Sequence, residues 1–166
     1  MLKYSNNYVA EMLTKNFSAH LGKPPGTMAS GLEVIREFLE KEVGFKSEFY
    51  NLVNPSGLTR KNRFRPEDIG KLLVYARNDF TMYPEFLAAL PIGGVDGTLK
   101  DRINGNGKSR VRAKTGMLTG VLGLAGFAGR EDQNEITFVL IYNGPQHKMN
   151  DVVIVFDKLA SLAVNI

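Results

Sequence analysis

The stretch RVRAKTGMLTGVLGLAGFAG, Arg110 to Gly129, reads as two β-strands, Arg110–Leu118 and Val121–Ala128, and its first half carries residues that a strand does not favour. A buried strand is built from Val, Ile and Phe, and a glycine in its interior weakens it unless something must approach the backbone closely. Lys114, Thr115 and Gly116 stand together inside the first run. Two readings fit. In one, Lys114 marks an edge strand and discourages strand-to-strand aggregation. In the other, the lysine places a charge at a cleft, the threonine offers a hydrogen bond, and the glycine removes a side chain from the path of a ligand lying beside the strand.

Downstream, a third strand-like run covers Ile136–Tyr142, and the short linkers predict an antiparallel meander. Asp151–Val164 is apolar on most sides, the pattern of a helix lying on a sheet. Upstream the periodicity is helical. From Asn7 the positions Tyr8, Val9, Met12, Leu13 and Phe17 predict a helix that Gly22 and Pro24-Pro25 close. A second helix centres on Leu32, Ile35, Phe38 and Leu39 and stops at Gly44; a third starts at Pro66, with Glu67 and Asp68 in its first turn and Ile69, Leu72, Leu73 and Ala76 as its inner face. The segment between Gly44 and Pro66 has a Pro-Ser-Gly turn and little periodicity, and reads as an ordered loop; a short helical piece follows at Pro84–Leu90. Helices first and a three-stranded antiparallel sheet second, then a C-terminal helix, give an α+β fold.

The 166 residues, 43% hydrophobic and 23% charged, are enough for a sizeable core. No apolar run approaches the roughly 20 residues of a transmembrane segment, and MLKYSNN lacks the apolar stretch of a signal peptide. The absence of cysteine excludes disulfides and thiolate chemistry without fixing a compartment. A net charge of +4 suits acidic partners in general.

Ser5-Asn6-Asn7 opens the first helix, where Ser and Asn are ordinary capping types. An early Ser-x-Asn paired with a Lys-Thr-Gly on a late strand is nevertheless the combination that penicillin-recognising serine enzymes join to a Ser-x-x-Lys nucleophile motif. The wording SNNYVAEML, PSGLTRKNRFRPEDIGKLLVYA, LPIGGVDGTLKDR and AKTGMLTGVLGLAGF, in that order, resembles the C-terminal part of the D-alanyl-D-alanine carboxypeptidases of the low-molecular-mass, class C penicillin-binding type. The resemblance runs from about Lys3 to Phe156. It implies the transpeptidase/β-lactamase-like fold, no cofactor and no metal.

The resemblance also implies roles. Ser5 relays a proton between the nucleophile's lysine and the leaving amine, and Lys114 supports that transfer and sets the field of the cleft. The Asn7 amide binds a substrate carbonyl, Thr115 reaches for the terminal carboxylate, and Gly116 lets the peptide or β-lactam lie along the strand. The backbone N–H of Met117 is one of two oxyanion donors. Peptidoglycan stem peptides and β-lactams are the implied partners, and a periplasmic or otherwise extracytoplasmic place is implied for the parent protein. This sequence departs from the family in two ways. Met117 stands where relatives often have a second hydroxyl, and no serine here is followed three positions later by lysine. The chain therefore reads as a fragment, residues 1–166 forming the C-terminal part of a DD-peptidase domain whose nucleophile lies elsewhere. On this reading the isolated chain is inactive and self-associates through a sheet edge left uncovered. The alternative is a non-catalytic module that holds peptidoglycan peptides or a protein partner.

Other features carry less. TRKNRFR, with Arg60, Lys61, Arg63 and Arg65 around Phe64, lacks any nucleic-acid-binding signature and reads as a solvated basic loop, so no nucleic-acid partner is expected. His20 and His147 lack metal-ligand spacing and read as surface residues. Asp96-Gly97 and Asn104-Gly105 read as turns, and Gly107-Lys108-Ser109 leads into a strand rather than a phosphate-binding helix.

Overall fold

In the computed structural model, which describes residues 1–21, 24–132 and 134–166, the helices are α1 (Asn7–His20), α2 (Met28–Lys41), α3 (Pro66–Asn78), α4 (Tyr83–Ala89) and α5 (Met149–Leu162). The strands are β1 (Val111–Leu118), β2 (Val121–Gly129) and β3 (Glu135–Asn143). The predicted stop of α1 at Gly22 lies outside the described residues. The chain divides into two compact units, one of Met1 with Asn6–Leu72 and one of Leu2–Ser5 with Leu73–Ile166.

In the first unit, α1 and α2 meet through small polar side chains. The α1 residues buried there are Thr14 and Ser18, whereas Tyr8, Leu13 and Phe17 of the periodic apolar set are exposed. Thr14 satisfies its hydroxyl on the Ala10 carbonyl at 2.9 Å, and Ser30 Oγ donates to Ser18 Oγ at 2.9 Å. These short side chains let the backbones close up: a Cβ on Gly31 would fall 2.0 Å from the Thr14 carbonyl oxygen. Thr27 caps α2 in a capping box with Ser30. Leu32, Leu39, Phe45 and Leu52 form the unit's core, with Tyr50 stacked on Phe64 at 5.8 Å beside it.

The basic loop is not simply solvated. The Arg63 backbone exchanges two hydrogen bonds of 2.8 Å with Asn51, Phe64 packs against the core, and Arg65 lies 4.0 Å over the Phe49 ring. Arg65 also donates to Asp68 at 2.7 and 3.0 Å. Asp68 stands in the first turn of α3, as the sequence predicts, and is only 1% exposed. Its hydrogen bonds from Arg65, then from Lys71, outweigh burial and hold its carboxyl below the usual range. Leu73 and Ala76 of the expected α3 face are buried, and Ile69 and Leu72 are half-buried.

In the second unit the sheet has the order β1-β2-β3, all antiparallel, with Lys114 opposite Ala125 and Gly116 opposite Gly123. One face buries Val111, Ala113, Leu122, Leu124 and Ala128 against Phe156, Ala160 and Ala163 of the C-terminal helix and the residue that follows it. Phe127 lies on the opposite face, where Tyr83 and Phe86 of α4 meet it edge-on at 5.3 and 6.4 Å. Helices, then a three-stranded antiparallel sheet and a C-terminal helix, are the α+β order the sequence predicts. No helix among the described residues is long and apolar enough to cross a membrane.

Candidate active site

β1 is an edge strand, but only half of its outer edge is open. Gly93 N–H donates to Val111 O at 2.9 Å and Ala113 N–H to Pro91 O at 3.0 Å, so residues 91–93 cover the strand's beginning. Backbone groups alternate direction along a strand. Because Val111 and Ala113 point away from β2, the N–H groups of Thr115 and Met117 point the same way, past the end of that cover. The open edge thus begins at Thr115.

Lys114 occupies the boundary. Its Nζ donates to Ser5 Oγ at 2.7 Å and to the Thr115 carbonyl at 2.5 Å, joining residues 109 positions apart. Lys114 is half-buried, and burial pushes its ammonium below the ordinary lysine range. A lysine in that state releases a proton more readily than one in water. The serine it meets is held with φ +52°, a left-handed conformation rare outside glycine.

Residues of the loop before β1 contact Lys3 in the turn that leads to Ser5. The Lys3 ammonium pairs with Asp96 Oδ2 at 2.5 Å, Asp96 Oδ1 accepts from Ile92 N–H at 2.8 Å, and Lys3 O accepts from Thr98 N–H at 3.0 Å. Gly97 sits between them at φ +57°, where a Cβ would stand 2.4 Å from Lys3 O. Burial raises the Asp96 carboxyl, but the Lys3 and Ile92 hydrogen bonds with the nearby Lys3 and Arg112 charges outweigh it and leave the group below its usual range. Thr115 donates its hydroxyl proton to Thr98 Oγ1 at 2.8 Å.

Gly116 is exposed, and a Cβ there would come no nearer than 4.0 Å to the Gly123 backbone. Packing does not require this glycine. Met117 is 66% exposed beside it. Ser5, Lys114 and Thr115 are thus brought together, with Gly116 and Met117 following on the same edge. Asn7 heads α1 in the other unit, and Asn6, not Ser5, is the helix cap, accepting from Val9 N–H at 3.0 Å. The sequence reading missed Lys3, Asp96 and Thr98, because Asp-Gly is also a turn signal and the Lys3 partner lies 93 positions away. Among the described residues no cluster of three or more His, Asp or Glu side chains is placed to hold a metal ion.

Known proteins carry similar sequences and folds. The chain is 32% identical over 148 residues to D-alanyl-D-alanine carboxypeptidase DacB of Haemophilus influenzae, covering 87% of this chain and 30% of that protein. It is 30% identical over 169 residues to the penicillin-sensitive carboxypeptidase A of Dictyostelium discoideum, covering 96% of this chain and 31% of that one. The chain therefore spans about three-tenths of the length of these relatives. The crystal structure of penicillin-binding protein 4 from Haemophilus influenzae superposes with a TM-score of 0.83 at 28% identity, covering 96% of this chain and 38% of that one. The family described as D-Ala-D-Ala carboxypeptidase 3 (S13) matches residues 1–164, nearly the whole sequence, and the chain belongs to that family.

Proposed function

We propose that this chain supplies the proton-relay and carboxylate-binding side of a serine-type D-Ala-D-Ala carboxypeptidase or endopeptidase acting on peptidoglycan peptides, and that the nucleophilic serine comes from outside these 166 residues. The observation that carries the reading is the Lys114 Nζ to Ser5 Oγ hydrogen bond of 2.7 Å, beside a strand edge that opens at Thr115. In the reaction the external serine Oγ attacks the carbonyl of the penultimate D-alanine, forming the acyl-enzyme and breaking the bond to the terminal residue. Ser5 passes a proton to the departing amine and is reprotonated through Lys114, whose burial eases that exchange. Thr115 binds the terminal carboxylate, Asn7 a substrate carbonyl, and Met117 N–H the oxyanion. Gly116 leaves room for the peptide to add to the strand edge. Water then hydrolyses the ester and restores the serine. A β-lactam enters the same path and stops at the acyl-enzyme. The setting that fits these substrates is extracytoplasmic.

The absence of a Ser-x-x-Lys sequence favours one other reading, a module that holds such peptides without cleaving them. A fluorescent penicillin followed by denaturing electrophoresis separates the two. The expected result is a covalent label on the longer protein containing this sequence and none on the 166-residue chain. A stoichiometric label on the short chain overturns the placement of the nucleophile, and an unlabelled longer protein leaves only the binding module.

A further inference from the structure

Three consecutive residues of the loop before β1 all act on one residue of the N-terminal segment. Asp96 pairs with the Lys3 ammonium at 2.5 Å, Gly97 lies so close to the Lys3 carbonyl that a Cβ would reach within 2.4 Å of it, and Thr98 N–H donates to that carbonyl at 3.0 Å. Asp96 is itself anchored to the strand. Its other oxygen accepts from Ile92 N–H at 2.8 Å, and Ile92 bridges Arg112 of β1. Lys3 is thereby tied to the ladder that carries Lys114, two residues along the same strand.

Ser5 needs such a tie. Its φ of +52° is costly for a residue with a Cβ, and its own N–H makes only a 3.3 Å bond to Leu2 O. Two local bonds of 3.3 Å close the turn at that residue, Ser5 N–H to Leu2 O and Asn6 N–H to Met1 O, and the contacts of Lys3 anchor the turn to the loop before β1.

We propose that Asp96 is a positioning residue for Ser5: acting through Lys3, it holds the Ser5 hydroxyl at hydrogen-bonding distance from Lys114. The proposal rests on the reading of Ser5 as proton relay, and its consequence falls on the chemical step rather than on substrate affinity, because Asp96 aims a proton carrier and touches no part of the peptide.

Asp96→Asn tests it, since the amide keeps an acceptor for Ile92 N–H and nearly the same volume while losing the charge that pairs with Lys3. In the 166-residue chain, Asp96→Asn is expected to speed amide hydrogen exchange at Thr98 by about tenfold, with β2 and β3 protection unchanged as the control for folding. Lys3→Met breaks the same pair from the other side and should give the same acceleration, with little added in the double variant. In the longer enzyme, Asp96→Asn should lower kcat by about tenfold with KM little changed. Unchanged Thr98 exchange in both single variants overturns the clamp. Faster exchange with wild-type kcat in an enzyme that takes the penicillin label overturns the positioning role, as does a loss confined to KM. If the wild-type longer protein takes no label, the proton-relay reading fails first and the role of Asp96 in the reaction falls with it, while the exchange measurement still decides the clamp.

Discussion

At the scale of single residues, the proposed proton relay rests on Lys114. Its bonds go to Ser5 and to its own neighbour's carbonyl, and burial disfavours its charged form. In a longer protein that joins this sequence to a nucleophilic serine, as proposed, Lys114→Ala should therefore lower penicillin acylation by about 10²-fold or more, while the thermal midpoint falls little. The sign of the pH effect follows from the depressed lysine. A folded-state pKa below the ordinary 10.5 means that the cost of burying the charge is present below the folded pKa and is relieved as pH rises from there towards 10.5. The stability difference between Lys114→Met and the wild type should shift in favour of the wild type across that alkaline window, as followed by thermal melts. A gap independent of pH would count against a buried charged lysine. Met117, exposed on the same edge, gives a separate test of substrate recognition. In a longer protein that supplies the nucleophile, Met117→Thr should lower KM for D-Ala-D-Ala peptides by about tenfold, the equivalent of one ~1.4 kcal/mol hydrogen bond. An unchanged or raised KM would show that the added hydroxyl finds no carboxylate.

The elements owe their positions to short contacts that periodicity does not encode. α1 and α2 were legible as helices from apolar spacing and turn residues, yet the seam between them is Thr14, Ser18, Ser30 and Gly31, polar or small residues selected by closeness of approach. Gly31→Ala would press a methyl group to 2.0 Å from the Thr14 carbonyl and should destabilise the chain by about 1–3 kcal/mol, read as a lower denaturant midpoint at unchanged slope. A midpoint equal to the wild type would mean that the two helices do not meet this closely. α3 is held at its first turn by Asp68, buried between Arg65 and Lys71. The expected acid at a helix start is present, but its burial comes from partners on both sides of it. In the sheet, by contrast, the three strands and their antiparallel order followed from strand-like runs and short linkers.

Over the whole chain, charge and exposed apolar surface set the solution behaviour. Asp68 and Asp96 both have folded carboxyls held below 3.8, so each contributes stability that is present above pH 3.8 and is lost as pH falls through the lower folded value. Thermal melts should show the midpoint dropping in that acid range, and Asp68→Asn should flatten part of the fall. The outer face of α5 exposes Ile154, Val155, Leu159 and Leu162, and β3 forms the other edge of the sheet. Apolar faces and strand edges of this kind seek cover. Sedimentation of the 166-residue chain should therefore report association that grows with concentration, and a monomer at high concentration would refute the inference that this surface is adhesive.

The sequence by itself determined the helices, the antiparallel meander, the helix that follows it and the suspicion attached to Lys-Thr-Gly, because each rests on local propensity, turn chemistry or a contiguous pattern. The resemblance carried by four separated blocks then directed attention to Ser5 and Asn7. What only the tertiary structure decided were the contacts between distant segments. These are the 2.7 Å meeting of Lys114 with Ser5, the Lys3–Asp96 pair, the Thr98–Thr115 bond and the point at which the β1 edge opens. The physical reason is the same for all four. A hydrogen bond or ion pair between residues far apart in sequence depends on where the backbone brings its ends, and neither propensity nor periodicity records that distance.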